Sequence, residues 1–417
     1  MADKHNEQTD SLLLGILSRF SESAKSNVTR IAINDFISMA KETLSELREV
    51  DTLLTQISKE IGGLSKSDLK KLGSDAFDIA SKYGKSASDY LTEVQNASRA
   101  GYQNAAQIAE LSLAAQSAGN ITGELADRFI TATDQAYGLG GSVSKLTEIL
   151  DGSFNISGRN AVSIAELAEA MSAAGGQAAE LGVSTEETAA VLGTIISEAH
   201  QGGGEAAEAF ESILLLIRQV ADAGKGIDAE SLTRYEEACS ALNVSLKETK
   251  NGVTSLRDPM EVLKDLSEAY SKLNAGDARK ANLLDAAGGG INADALEAVL
   301  ENYSQYEKML AEYADGTGTM SQKAAQTADS WEGSLNRLSN TWTDTIGNIA
   351  NSDAIVILVN GLNGLLSVIN SVTEKLGSFG TIGLGAGLFV GLKNIGKRRT
   401  SVRISNTVNC FEYALHA

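Results

Sequence analysis

Ser163-Ile-Ala-Glu-Leu-Ala-Glu-Ala-Met171 and Ser184-Thr-Glu-Glu-Thr-Ala-Ala-Val-Leu-Gly-Thr-Ile-Ile196 are the two stretches that decide the fold. In each, a serine stands three residues ahead of a glutamate, Glu166 in the first and Glu187 in the second. That spacing lets serine and glutamate satisfy the backbone N–H groups left open at a helix start. Behind each serine comes an apolar run at helical spacing: Ile164, Leu167, Ala168 and Met171, then Thr188, Val191, Leu192, Ile195 and Ile196. The stretch between them, Gly175 to Val183, reads as a short connection, so the two helices are expected to form an antiparallel hairpin.

The same punctuation extends outward. Toward the amino terminus, polar starts and glycine ends mark helices over Ser67–Gly84, Ser86–Gly101, Asn104–Gly119 and Thr122–Gly138. Upstream of these, Ile33, Ile37, Ala40, Leu44, Leu47, Leu54, Ile57 and Ile61 form a coiled-coil-like seam, broken once at Asp51 and ended by Gly62 and Gly63. Toward the carboxyl terminus, Gly202–Gly204 releases a helix over Glu205–Val220, and further helices are expected at Ala229–Leu242, Pro259–Leu273 and Ala293–Tyr313. A long helix over Met320–Ile349 carries Trp331 and Trp342. Pro259 is the one proline in 417 residues, and it sits at the first helical position behind Asp258. There its missing N–H costs nothing.

The expected fold is therefore all-α: an elongated array of short helical hairpins with an N-terminal coiled-coil-like helix and a hydrophobic C-terminal helical segment. Its expected divisions are 1–62, the coiled-coil-like helix; 63–313, a core of short packed helices; 314–372, a long helix and an amphipathic segment; and 373–417, a hydrophobic glycine-rich segment with a basic tail. Aromatics make up only 5% of the chain, so the buried faces are built from small and aliphatic side chains. A net charge of −19 disfavours nucleic acid, which exchanges counterions with Lys and Arg. The charge is uneven. From Asp353 onward six Lys/Arg face three acids, leaving +3 there and −22 before it. Cys239 and Cys410 lie far apart without ligand spacing, so neither a disulfide framework nor a redox role is expected.

In its order of segments the chain resembles the phage tail tape measure proteins over about residues 30–370. The resemblance centres on Ser163–Met171, then Ala178-Ala-Glu-Leu-Gly-Val-Ser-Thr-Glu-Glu-Thr-Ala-Ala-Val-Leu192, then the glycine break and Phe210-Glu-Ser-Ile-Leu-Leu-Leu-Ile-Arg218. Asp258-Pro-Met-Glu-Val-Leu263 and Asp329-Ser-Trp-Glu-Gly-Ser-Leu-Asn-Arg-Leu-Ser-Asn-Thr-Trp342 are similar to the segments that follow the family's core. The resemblance implies a structural protein of a long-tailed phage or prophage that sets tail length during tube assembly and assists genome ejection. The implied partners are tail tube proteins, tail-assembly chaperones, baseplate or tail-tip proteins, and further copies of itself. The implied location is the virion tail, with the host cytoplasm during assembly. Members are commonly longer, and the ending Asn409–Ala417 departs from the pattern, so a truncated or split product is expected.

Residues that could carry chemistry are few. Leu376–Leu392 is uncharged, flanked by Lys375, Lys393, Lys397, Arg398 and Arg399, and contains Gly383, Gly387 and Gly391 at the spacing that lets membrane helices touch backbone to backbone. It reads either as a host-membrane contact or as a helix packed within the tail. The class-different alternatives are a membrane-associated or pore-forming helical protein resting on this segment, and a fragment with wall-hydrolase activity. Against the latter, Cys239 falls on a helical pattern, His5 and His416 lie near the ends, and His200 closes a helix. No catalytic residue, cofactor or metal site is therefore expected. Gly202–Gly204 and Gly288–Gly290 read as hinges.

Overall fold

The computed structural model describes residues 46–61, 64–219, 229–250 and 253–350. Serine caps start four of the described helices. The Ser163 and Ser184 hydroxyls accept from the N–H groups of Glu166 and Glu187 at 3.1 and 3.2 Å, and each carboxylate accepts from its serine's N–H in return. Ser65 with Asp68 and Ser86 with Asp89 form two more such boxes, using aspartate instead of glutamate. At Pro259 the Asp258 carboxylate accepts from the N–H groups of Met260 and Glu261 at 2.8 and 3.1 Å. The proline sits at the first turn, as its missing N–H allows.

The elements run in order as α1 (46–61), α2 (Lys66–Tyr83), α3 (Ala87–Arg99), α4 (Ala105–Gly119), α5 (Gly123–Tyr137), α6 (Val143–Arg159), α7 (Ile164–Glu180), α8 (Thr185–Glu198), α9 (Gly203–Gln219), α10 (Ala229–Ala241), β1 (Lys247–Lys250), β2 (Val253–Leu256), α11 (Pro259–Tyr270), α12 (Ala278–Ala286), α13 (Gly290–Glu301), α14 (Tyr303–Ala314), α15 (Thr319–Ala328) and α16 (Trp331–Ala350). The all-α expectation holds, with one addition. Strands β1 and β2 pair antiparallel from Lys247↔Leu256 to Lys250↔Val253, leaving Asn251-Gly252 to connect them. That dipeptide is the strongest short hairpin signal a sequence offers.

Several boundaries differ from the sequence reading. The predicted connection Gly175–Val183 shrinks to Leu181–Ser184, because α7 continues through Gly175, where the helix lies against Tyr137 and Ala136 of α5. The predicted helix Ala293–Tyr313 is two, α13 and α14, turning at Asn302 (φ −116°, ψ 36°). The predicted Met320–Ile349 helix is likewise α15 and α16, broken at Asp329-Ser330. There Gly333 lies against the Ala328 backbone so closely that a side chain at 333 has no room. Helices α6 and α12 were not anticipated. Of the expected coiled-coil-like helix, residues 46–61 are described and helical, with Val50 and Ile57 buried. Residues 33–45 and the whole of 351–417 lie outside the described residues.

The chain divides into two compact units, Val50–Ser334 and a second formed by Met1–Glu49 with Leu335–Ala417. In the second, the Thr343 hydroxyl donates to the Glu46 carboxylate at 2.8 Å. In the first, neighbouring helices pack in pairs, α2 on α3, α3 on α4 and α7 on α8, as their short connections require. Packing does not stay sequential, however. α7 is flanked by α5 and α9, α13 lies on α8 and α9, α14 on α6 and α8, and α15 on α2, α4 and α6. The later helices therefore return onto the earlier ones. Phe129, Phe154, Phe210, Leu113, Leu146 and Ile130 fill the core between them.

Candidate functional site: the seam that closes the helical core

The return of α14 and α15 is fastened on α6. Residues 149–156 of α6 are buried on every side, although they include Asp151, Gly152, Ser153 and Asn155. A buried polar group needs a partner, and here the partners come from the far end of the chain. The Asp151 carboxylate accepts from the N–H of Gly318 at 2.7 Å and of Met320 at 2.9 Å. Those are open N–H groups at the start of α15, whose own cap position is Gly318, in left-handed conformation and without a side chain to serve. Asp151 thus caps a helix 167 residues downstream, its charge placed at the positive end of the helix dipole.

Two amides complete the fastening to α14. The Asn155 side-chain N–H₂ donates to the Glu312 backbone carbonyl, and that of Asn160 donates to the Glu312 carboxylate at 2.6 Å. The Asn160 carbonyl accepts from Gln305 Nε2 at 2.9 Å and Lys308 Nζ at 3.1 Å. Glycine sets the approach. A Cβ on Gly152 would stand 2.6 Å from the Tyr313 ring, and one on Gly316 would stand 2.7 Å from the Asp151 carbonyl oxygen. Burial pushes the Tyr313 phenol up, so the ring stays neutral in its slot.

Other residues singled out in the sequence fall elsewhere. Cys239 is fully buried on α10, and burial raises its thiol to about 12, which leaves it protonated and unreactive at neutral pH. His200, by contrast, is exposed just past the end of α8, with φ 55°. The glycine triplets divide in role. Gly203 is a close-packing position, because a Cβ there would collide with the Glu166 carbonyl, whereas Gly288 and Gly289, between α12 and α13, and Gly290, the first residue of α13, all have positive φ. Among the described residues no group of three or more His, Cys, Asp or Glu side chains could hold a metal ion, and no helix is long and apolar enough to cross a membrane. Leu376–Leu392, with Gly383, Gly387 and Gly391, lies outside the described residues, as do His5, His416 and Cys410.

The seam was not visible in the sequence because α6 lacks the signals that reveal a helix. Ser142 makes no capping bond with its side chain, and Asp151, Gly152, Ser153, Asn155 and Gly158 interrupt the apolar pattern. The one available sign was a polar run bounded by Leu146, Ile149 and Leu150 on one side and Ile156 on the other. What the geometry offers is cohesion: Asp151, Asn155 and Asn160 are spent on partners in α14 and at the start of α15.

The model of one protein family, described as phage-related minor tail protein, matches residues 66–289, more than half of the chain. No solved structure matches it. The matched residues run from the first turn of α2 to the glycines before α13, so they include α6 and its polar seam residues but not the helices fastened to them. The match covers more than half of the sequence, and the chain belongs to the phage-related minor tail protein family.

Proposed function

We propose that this protein is the tape measure of a long-tailed phage or prophage, or a part of it: a non-enzymatic helical scaffold that sets tail length as the tube polymerises. Its partners in this reading are tail tube subunits, tail-assembly chaperones, baseplate or tail-tip proteins, and other copies of itself. The observation that carries the reading is the family match laid over a chain whose described residues are almost wholly helix joined by short turns. Drawn out as one helix, residues 46–350 would span about 460 Å, whereas packed, the Val50–Ser334 unit has an expected radius of gyration of roughly 19 Å. Length on the scale of a tail is therefore stored in the sequence and released only if the returning helices separate.

Membrane contact through Leu376–Leu392 belongs to the same proposal, as the step that assists genome ejection. Its support is the uncharged run with Gly383, Gly387 and Gly391 between basic flanks. The reading is tested by quantitative mass spectrometry of purified virions and tail intermediates. Peptides from 66–289 are expected in both, and their absence from both would overturn it.

A further inference from the structure

Glu93 of α3 is 6% exposed, and among the described residues no ion pair to it is found. Its carboxylate converges with that of Asp127 on α5, since the Asn96 side-chain nitrogen lies 3.3 Å from Glu93 Oε2 and 3.0 Å from Asp127 Oδ2. The ring closes through α4. Gln116 Nε2 donates to Glu93 Oε1 at 2.9 Å and to Ser112 Oγ at 3.3 Å, and the Ser112 hydroxyl donates to Asp127 Oδ1 at 2.6 Å. Every one of these donors is neutral. Of the charged groups on the packed elements, Glu60 of α1 pairs with Arg99 at 2.8 Å, and Glu110 of α4 with Lys82 of α2 at 2.8 Å and Tyr83 at 3.0 Å. Gly123, at the start of α5, lies against the Glu93 carboxylate so closely that a Cβ there has no room. Two carboxylates drawn together out of water, with only neutral donors around them, cannot both be ionised cheaply.

We propose that Glu93 and Asp127 hold one proton between them and form a proton-dependent latch binding α3 to α4 and α5, closed while the proton is held and open once it is lost. With Glu93 as the acid, all its atoms are used: Oε1 accepts from Gln116 and the O–H donates to Asp127, which also accepts from Ser112 and Asn96. Burial first, and then the facing Asp127, hold the Glu93 carboxyl well above the ordinary carboxylate range. The sign follows. Between its ordinary value near 4.5 and its raised value in the fold, the folded chain binds more proton than the unfolded chain. The latch's stabilisation is thus complete below that window and is lost as pH rises through it.

Hydrogen exchange of the full chain between pH 6 and pH 10, corrected for intrinsic rates, tests the latch in peptides covering 87–99 and 123–137. In the natural chain their protection is expected to fall by up to about tenfold for each pH unit from pH 6 to about 8, where the closed form loses its proton, since one proton is released per opening there, and to level off above it. Two variants replace the shared proton with an amide donor: Glu93→Gln donates to Asp127, and Asp127→Asn donates to ionised Glu93. Glu93→Gln is expected to abolish that fall, and Asp127→Asn, which leaves the buried Glu93 in place, to reduce it. The proposal is overturned if the natural chain shows no such fall, if both variants fall as it does, or if both fail to fold at pH 6, where an amide should serve in the proton's place.

Discussion

Asp151 tests the seam at the scale of one residue. Its carboxylate serves two N–H groups at the start of α15, whose own cap residue, Gly318, has no side chain to serve them. Asp151→Ala leaves those donors buried without an acceptor and removes a charge from the dipole's positive end. The expected cost is about 2–3 kcal/mol, read as a lower urea midpoint at unchanged slope. Asp151→Asn retains one acceptor oxygen and is expected to cost about half as much. Equal stability of Asp151→Ala and the natural chain would show that α15 finds another cap. Glu93 and Asp127 belong to the same scale, because in both places a buried carboxylate draws separate helices together, by its charge in one and by its proton in the other.

Among the elements, helix starts were the most legible part of the chain. Ser163 with Glu166 and Ser184 with Glu187 announced α7 and α8, and both capping boxes form as expected. Ser163→Ala and Ser184→Ala are each expected to cost about 1 kcal/mol, and because the caps share no partner the double variant should cost the sum. Thermal melts of the single and double variants check this, and a shortfall in the double would mean that the two caps are coupled. Glycine ends were legible at Gly84, Gly119 and Gly138, whereas internal breaks and long-range returns were not. Gly175 looked like a stop but lies inside α7, packed beside Tyr137 and Ala136 at ordinary contact distance. Asn302 and Asp329 looked like helix interior but mark breaks, because packing turns the chain where propensity does not forbid helix. Asn251-Gly252 carried a readable hairpin signal between two helices that an all-helical reading passed over. The seam residues were the hardest to see, since a buried Asp151 declares its purpose only when Gly318 arrives from 167 residues away.

Over the whole molecule, the packed core and the proposed measuring role pull in opposite directions. The contacts of α14 and α15 with α4, α6 and α8 hold the Val50–Ser334 unit together, and a scaffold that measures by its extent must give them up. Polar and glycine contacts suit that demand, because water can take over each hydrogen bond when the helices part, whereas bare apolar faces would stay exposed. If extent is the function, the length contributed per residue should be constant wherever residues are removed. Electron micrographs of tails from phage carrying in-frame deletions of increasing size within residues 66–289 measure this directly. The account predicts tails shortened in proportion, by about 1.5 Å for each residue removed; assembled tails of unchanged length across the series would contradict it.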